Sequence, residues 1–390
     1  MTAVEPQAGT AAAGAAAPAG SPLAAPPAVA GAPDAVPGAP GAPGALGPAR
    51  VRASTDADDA ARDRLVLAHP HGTFFHLSGW RRAVERAFGH APRSATRSRG
   101  GEIVGVLPLM LCRGPLGRGH LVSVPYGVYG GPVAADDAVR RALVDAAREL
   151  GHRERVGRVE LRCREDHALD LVPSDLYATF VQELPRDPAE VMKRMPKRAR
   201  AEVRKAIDRG LDLGEGPWYL RDVVELFHAS KQHLGSPGLP SRWFETLLAE
   251  FPEHAHVHVA RLGKEVLAAT MSFVFRDEFL FYYIGTRADA NREYKATNWL
   301  CVRLQEWSIE RGLARFDLGR SRRDSGSYSF KEHQGFEPRP LPYRYALVRA
   351  KGLPTFTPSN PRTKGLRDAW TRMPPSVARF LSGALARYLP

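Results

Sequence analysis

The stretch Phe316-Asp-Leu-Gly-Arg-Ser-Arg-Arg-Asp-Ser-Gly-Ser-Tyr-Ser-Phe-Lys-Glu-His-Gln-Gly-Phe336 decides how the rest of the chain is read. Ala314, Phe316 and Leu318 alternate with polar residues, which predicts a short strand over 314–318 that stops at Gly319. A polar loop holding Arg320, Arg322 and Arg323 is expected next, followed by the aromatic–lysine pair Phe330-Lys331. An acidic residue at a strand end, a cation-rich loop and a lysine beside an aromatic suit an anionic or carbonyl-bearing substrate.

Upstream of that stretch, one succession of patterns occurs twice, offset by about 160 residues. Ser78-Gly-Trp-Arg-Arg-Ala-Val-Glu-Arg-Ala-Phe88 is a helix pattern. Ser241-Arg-Trp-Phe-Glu-Thr-Leu-Leu-Ala-Glu-Phe251 repeats its Ser, Trp and Phe in register. Each copy continues with a turn and strand (101–110 and 263–272), a second strand (120–126 and 278–283) and a glycine-bearing loop (127–132 and 285–291). A long amphipathic helix follows (138–150 and 294–311), closed by Gly151 or Gly312, and then another strand (158–162 and 314–318). The repeat predicts an α/β chain of two like domains, at 61–183 and 184–349, with a separate tail over 350–390.

At 390 residues the chain is long enough for two such cores. Its formal charge of +13 favours acidic partners such as nucleic acid, phosphorylated carriers or an anionic membrane face, or else reflects plain arginine-rich usage. Cys112, Cys163 and Cys301 are widely spaced, which suits reduced, buried thiols in a cytoplasmic protein and argues against a disulfide scaffold or zinc ribbon. No uninterrupted apolar run of about 18 residues offers a transmembrane helix. Residues 1–60 open on Ala, Pro and Gly with prolines breaking every apolar run, so a disordered tail is expected there rather than a signal peptide.

Asp317-x-Gly319, Phe330-Lys331 and Gly335-Phe-Glu-Pro338 together resemble the C-terminal signature of the FemAB-like acyltransferases. The spacing is most similar to the branch associated with exosortase A and PEP-CTERM systems, and the resemblance covers roughly residues 66–390. It implies a tandem pair of GNAT-like acyltransferase domains. It also implies transfer of an acyl or aminoacyl group to an amine in cell-envelope or exopolysaccharide biosynthesis, at the cytoplasmic face of the inner membrane. The donor would be an acyl-CoA or an aminoacyl-tRNA, with no tightly bound cofactor and no metal. The acceptor would be a small-molecule or carrier-linked amine. In this reading Lys331 stabilises the oxyanion from an open cleft, and Asp317 orients the acceptor or relays its proton. Tyr283, Tyr328 and Phe330 wall the cleft, while Arg320 and Arg322 meet phosphate or carboxylate.

Three further segments bear on that site. Pro196-Lys-Arg-Ala-Arg-Ala-Glu-Val-Arg-Lys-Ala-Ile-Asp-Arg-Gly-Leu211 resembles the basic helix of these proteins. Pro196 is expected at the first helical position and Gly210 at the stop, with Val203 and Ile207 on an apolar face. Lys197, Arg200 and Arg204 share another face, for substrate phosphates or simply for solvent. Val124-Pro-Tyr-Gly-Val-Tyr-Gly-Gly-Pro132 resembles a family loop whose Tyr126 and Tyr129 would line the cleft, and it also reads as a tight turn needing glycine. Arg287-Ala-Asp-Ala-Asn-Arg292 stands where single-domain GNAT enzymes carry their glycine-rich pyrophosphate turn. Both glycines are replaced and Asp289 is added, which argues against ordinary acetyl-CoA binding.

Other features stay open. His254, His256 and His258 share a strand face, as zinc ligands or as a polar surface. His69, His71 and His76 read as helix-entry and packing residues. In the tail, Leu366, Trp370 and Met373 and then Val377, Phe380, Leu381 and Leu385 recur at helical spacing beside arginines. Residues 360–390 therefore suit peripheral contact with the inner membrane or docking on the domains. Without a helix-turn-helix, RRM or KH pattern, tRNA enters only as a donor. The alternative to an enzyme is a non-catalytic scaffold of an exopolysaccharide or PEP-CTERM/exosortase system.

Overall fold

Residues 51–114, 119–353 and 364–389 are described in the computed structural model of the chain, and the tail expected over residues 1–50 lies outside them. The first half holds β1 (Val51–Ala53), α1 (Asp59–Ala68), α2 (Ser78–Phe88), β2 (Ala91–Pro92), β3 (Ala95–Arg99), β4 (Glu102–Leu107) and β5 (Met110–Arg113). It continues with β6 (Gly119–Val122), β7 (Val133–Ala134), α3 (Asp137–Arg153), β8 (Arg158–Leu161), β9 (Val172–Ser174) and β10 (Tyr177–Glu183). The second half holds α4 (Val191–Arg194), α5 (Lys197–Asp208), β11 (Asp212–Glu215), α6 (Leu220–His233), α7 (Ser241–Glu250), β12 (Ala255–Leu262), β13 (Glu265–Phe275) and β14 (Glu278–Thr286). Then come α8 (Ala288–Glu293), α9 (Ala296–Glu310), β15 (Arg315–Arg322), α10 (Gly326–His333), β16 (Arg339–Pro340) and β17 (Tyr343–Leu347), and in the tail α11 (Lys364–Arg372) and α12 (Pro375–Leu385).

Three sheets result, in the orders β1-β3-β4-β7, β2-β5-β6-β8-β17-β9 and β11-β12-β13-β14-β15-β10-β16. In each half two strands run parallel for only two or three residues and then part. β14 pairs with β15 at Glu278–Leu280 against Arg315–Asp317, and β6 pairs with β8 at Leu121 and Val122 against Val159 and Glu160. A strand supplied by the other half closes the far side of each parting. β10 lies antiparallel on β15, and β17 lies antiparallel on β8.

This exchange corrects the expected boundary at 183/184. The last strand of the first half belongs to the second half's sheet, and the reverse holds for β17. The boundary at residue 60 also moves. β1 pairs with β3, and Arg52 donates to Asp58 at 2.7 Å, so residues 51–60 are part of the folded body.

The repeated helices meet each other. Trp80 of α2 and Trp243 of α7, corresponding residues of the two copies, pack edge to face with ring centroids 5.1 Å apart. Around them Phe74, Phe75, Phe88, Phe244 and Phe273 form one core common to both halves. Each such ring contributes roughly 1.5–3 kcal/mol by burial. A second core, built on Phe180, Phe279, Phe316, Trp299 and Trp307, packs α9 on the opposite face of the large sheet. Val257 and Val259 of β12 face the shared core, while His256 and His258 point the other way, toward Glu215 and Trp307. His254 lies outside the strand, its ring nitrogen on the Val274 carbonyl. Cys112, Cys163 and Cys301 are buried free thiols. Pro196 caps α5 from outside rather than opening it, and Ile207 is half exposed although Val203 is buried.

Candidate active site

β15 does not stop at Gly319. It runs on to Arg322, so the expected loop arginines Arg320 and Arg322 are strand residues. The ladder with β10 slips instead: Asp317 faces Val181 and Arg320 faces Thr179, which leaves Leu318 and Gly319 opposite Phe180. Gly319 adopts φ +67°, the left-handed conformation that glycine enters without a steric cost. A bulge leaves main-chain groups without ladder partners, and buried ones must find others. Two predicted site residues supply them. The Asp317 carboxylate accepts from the Gly319 N–H at 2.6 Å. On the other side, Lys331 Nζ donates to the carbonyls of Gly319 at 2.8 Å and Arg320 at 3.1 Å.

Lys331 comes from the last turns of α10, whose N-terminus is capped by Ser325 accepting from the Tyr328 N–H. It is 8% exposed, not the solvated cleft lysine expected from the sequence. Burial pushes its pKa down to about 7, with the nearby Asp317 carboxylate opposing the fall. Asp317 is 1% exposed and takes a hydrogen bond from the Tyr129 hydroxyl at 2.8 Å. Burial raises its pKa to about 6, the Glu278 carboxylate adds to the rise, and Arg164 opposes it.

Beside the bulge, in the parting of β14 and β15, lies a cavity of about 690 Å³. Of the predicted site residues, Lys331, Arg320, Tyr283, Phe330 and Tyr126 line it. Arg320 lies over the Tyr177 ring at 4.8 Å and donates to the Tyr343 hydroxyl at 3.3 Å, so both exchanged strands hold it. Tyr343 in turn donates to the Val128 carbonyl at 2.6 Å.

Seven other predicted residues stand elsewhere. Asp317 and Tyr129 lie outside the cavity lining, on the face of the sheet turned toward the first half, because pairing with Val181 turns Asp317 that way. Asp317 therefore positions the bulge and does not reach a ligand in this cavity. Tyr328 packs edge-on against Phe180, and Arg322 sits half-buried on the strand beyond the bulge. Lys197, Arg200 and Arg204 on α5 are exposed or half-exposed and do not line the cavity. One lining residue escaped the sequence reading: Lys231 of α6. Its signal was a lysine continuing the stripe Val223, Phe227, Lys231 at i, i+4 and i+8 of a helix whose first two members are buried.

The corresponding parting in the first half is filled. Arg162 follows Glu160 without a bulge, donates to its carboxylate at 2.8 Å, and donates to the Val124 and Gly127 carbonyls at 2.9 Å. The loop after β6 thus occupies its own wedge, and the open site belongs to the second half. At the turn after β14, Arg287 is bound to Asp289 and Glu265, which places a carboxylate where a pyrophosphate would approach α8.

The acetyltransferase (GNAT) domain family matches residues 193–332, from α4 through Lys331. No curated protein matches the chain in sequence. Among solved structures, FemX is similar at 13% identity over 77% of this chain and 98% of that one, with a TM-score of 0.58. A tandem GNAT protein from the clavulanic acid biosynthesis pathway is similar at 15% identity over 77% of this chain and 99% of that one, TM-score 0.47. L-PGS from Bacillus licheniformis is similar at 16% identity over 75% and 96%, TM-score 0.46. The FemX likeness is one of fold. The chain is a mixed α/β protein built as a tandem pair of GNAT-like domains, the second of which contains the matched acetyltransferase domain.

Proposed function

We propose that this protein is an N-acyltransferase of the GNAT/FemAB type that moves an acyl or aminoacyl group onto an amine in the wedge between β14 and β15. One observation carries the reading: a buried lysine with a depressed pKa, locked to a strand bulge at the wall of the wedge. Two main-chain carbonyls take two of its N–H donors. In the neutral amine those are all the donors there are, so the lone pair is left over. Lys331 is therefore a general base poised near neutrality, in place of the fixed oxyanion-stabilising ammonium expected from the sequence. The acceptor amine attacks the donor carbonyl carbon, the new C–N bond forms and the ester or thioester bond breaks. The amine proton passes to Lys331 and returns to the departing alkoxide or thiolate.

The donor is an acyl-CoA or an aminoacyl-tRNA, and the acceptor is a small or carrier-linked amine. The exposed cations Lys197, Arg200 and Arg204 are available to donor phosphates. The setting is cell-envelope or exopolysaccharide chemistry at the cytoplasmic face of the inner membrane, a reading that rests on the sequence resemblance. A thermal-shift panel of acetyl-CoA, long-chain acyl-CoA and aminoacyl-tRNA tests the donor, since a ligand of the folded state raises the midpoint with RT ln(1 + [L]/Kd). Turnover of a shifting donor with amine acceptors then tests the reaction. No shift with any donor, and no transfer by the purified chain, would sink the proposal.

A further inference from the structure

Lys231, Arg320 and Lys331 line the cavity, and among the described residues no aspartate or glutamate does. Elsewhere the buried arginines are paired with acids, as Arg81 is with Asp59 and Arg162 with Glu160. Arg320 forms no ion pair among the described residues; its hydrogen bond goes to the Tyr343 hydroxyl, and the carboxylate that feels its charge, Glu160, is already paired with Arg162. The Lys231 ammonium has neither an ion pair nor a hydrogen bond among the described residues. Its stem runs beside Phe227, with Nζ 5.2 Å from the ring centroid. Both residues line the same cavity, and burial, with the like charge of Arg320, pushes the Lys231 pKa down. Two cations turned into one cavity without a counter-ion cost free energy that a ligand anion would relieve. Lys331 is not part of that surplus, because its donors are held by the bulge.

We propose that Lys231 and Arg320 clamp one anionic group, a carboxylate or a phosphate, carried on an apolar or aromatic body that lies against Phe227, Leu239 and Phe281. This names a substrate class for the acyl-transfer site and rests on that site being where substrate binds. The clamp reads charge, and the ring and leucine walls read the apolar body. Neutral or cationic molecules of the same shape leave both cations uncompensated.

Ligand-observed NMR titration of the full chain with phenylacetate, phenyl phosphate, phenethyl alcohol and phenethylamine tests the clamp. Both anions, or one of them, should bind at least roughly tenfold more tightly than the alcohol and the amine. Preference for one anion supports the clamp and tells carboxylate from phosphate. Lys231→Gln should weaken anion binding about tenfold or more, and Lys231→Arg should restore most of it. Equal binding of the alcohol and the anions overturns the proposal. So does unchanged anion affinity in Lys231→Gln with its circular dichroism and melting midpoint intact. If Lys231→Gln fails to fold, Lys231→Arg and the ligand series on the native chain still decide. Anion binding without any acyl transfer would remove the proposed function and leave the clamp standing. Acyl transfer whose KM for anionic substrates ignores Lys231→Gln would do the reverse.

Discussion

Lys331 joins two jobs in one side chain: it completes the bulge and it faces the wedge. Lys331→Met keeps the aliphatic length but leaves the Gly319 and Arg320 carbonyls without their donor. Stability should fall by about 1–3 kcal/mol, read from urea denaturation, and turnover by roughly a hundredfold or more. The pH profile separates the roles. As a base, native Lys331 makes turnover rise through about pH 7 and level off, and the inflection should vanish in Lys331→Met. Turnover that instead falls above pH 7 would show that the protonated form is the active one. Stability has its own window. Unfolded, this lysine keeps its proton to about 10.5; folded, it loses it near 7. Below 7 both states are protonated and the cost of burying the ammonium is fully present. Between about 7 and 10.5 the unfolded chain binds the extra proton, so this group's contribution to stability rises with pH, and Lys331→Met should remove that rise.

At the scale of elements, what the site needs is a bulge on β15 and an α6 that lies close against β14. A Cβ on Gly285 would stand 2.2 Å from the main chain of α6 at Leu226 and Phe227, where no side chain is free to yield. Gly285→Ala should therefore force α6 outward, cost about 1–3 kcal/mol or more in denaturant, and weaken anion binding by displacing Lys231. Unchanged stability would mean that the helix is not held as described. Such elements were unevenly legible in the sequence. The helices at Ser78 and Ser241 were plain, because Trp and Phe recur at helical spacing in both. β15 was cut short at Gly319 because a glycine after an apolar alternation reads as an end. Only its slipped pairing with β10, a strand about 140 residues earlier in the chain, makes that glycine a bulge. For the same reason Asp317 and Lys331 were found as residues but misplaced as a pair: strand alternation sends the carboxylate to one face, and α10 brings the lysine from the other. Lys231 was missed because a single lysine on an apolar stripe looks like a snorkelling side chain until the facing strand is known.

Over the whole molecule, the exchange of β10 and β17 means that neither half closes its sheet alone, which local sequence patterns could not reveal because partner choice among strands is non-local. The tail adds a third body to this arrangement. Its inner side is docked: Gln232 donates to the Met373 carbonyl at 2.6 Å, the Gly238 N–H to Ser382 Oγ at 3.0 Å, and the Tyr126 hydroxyl to the Ala386 carbonyl at 3.1 Å. Ala386 and Leu389 line the mouth of the cavity. Its outer side is apolar and basic, with Leu366 74% and Phe380 79% exposed and the exposed Arg372 and Arg379 without ion-pair partners among the described residues. Docking accounts for the inner face of these helices, and the expectation of membrane contact concerns only the outer one, so the two separate by mutation. Phe380→Asp touches only the outer face, so the melting midpoint should move little while co-sedimentation with anionic liposomes falls, since apolar depth is lost and a repulsive charge is gained. Removing residues 364–390 should abolish co-sedimentation and also lower the midpoint, because the docked face goes with it. Full liposome binding by Phe380→Asp, with neutral and anionic vesicles sedimenting alike, would sink peripheral membrane contact through this tail and leave docking as its only role.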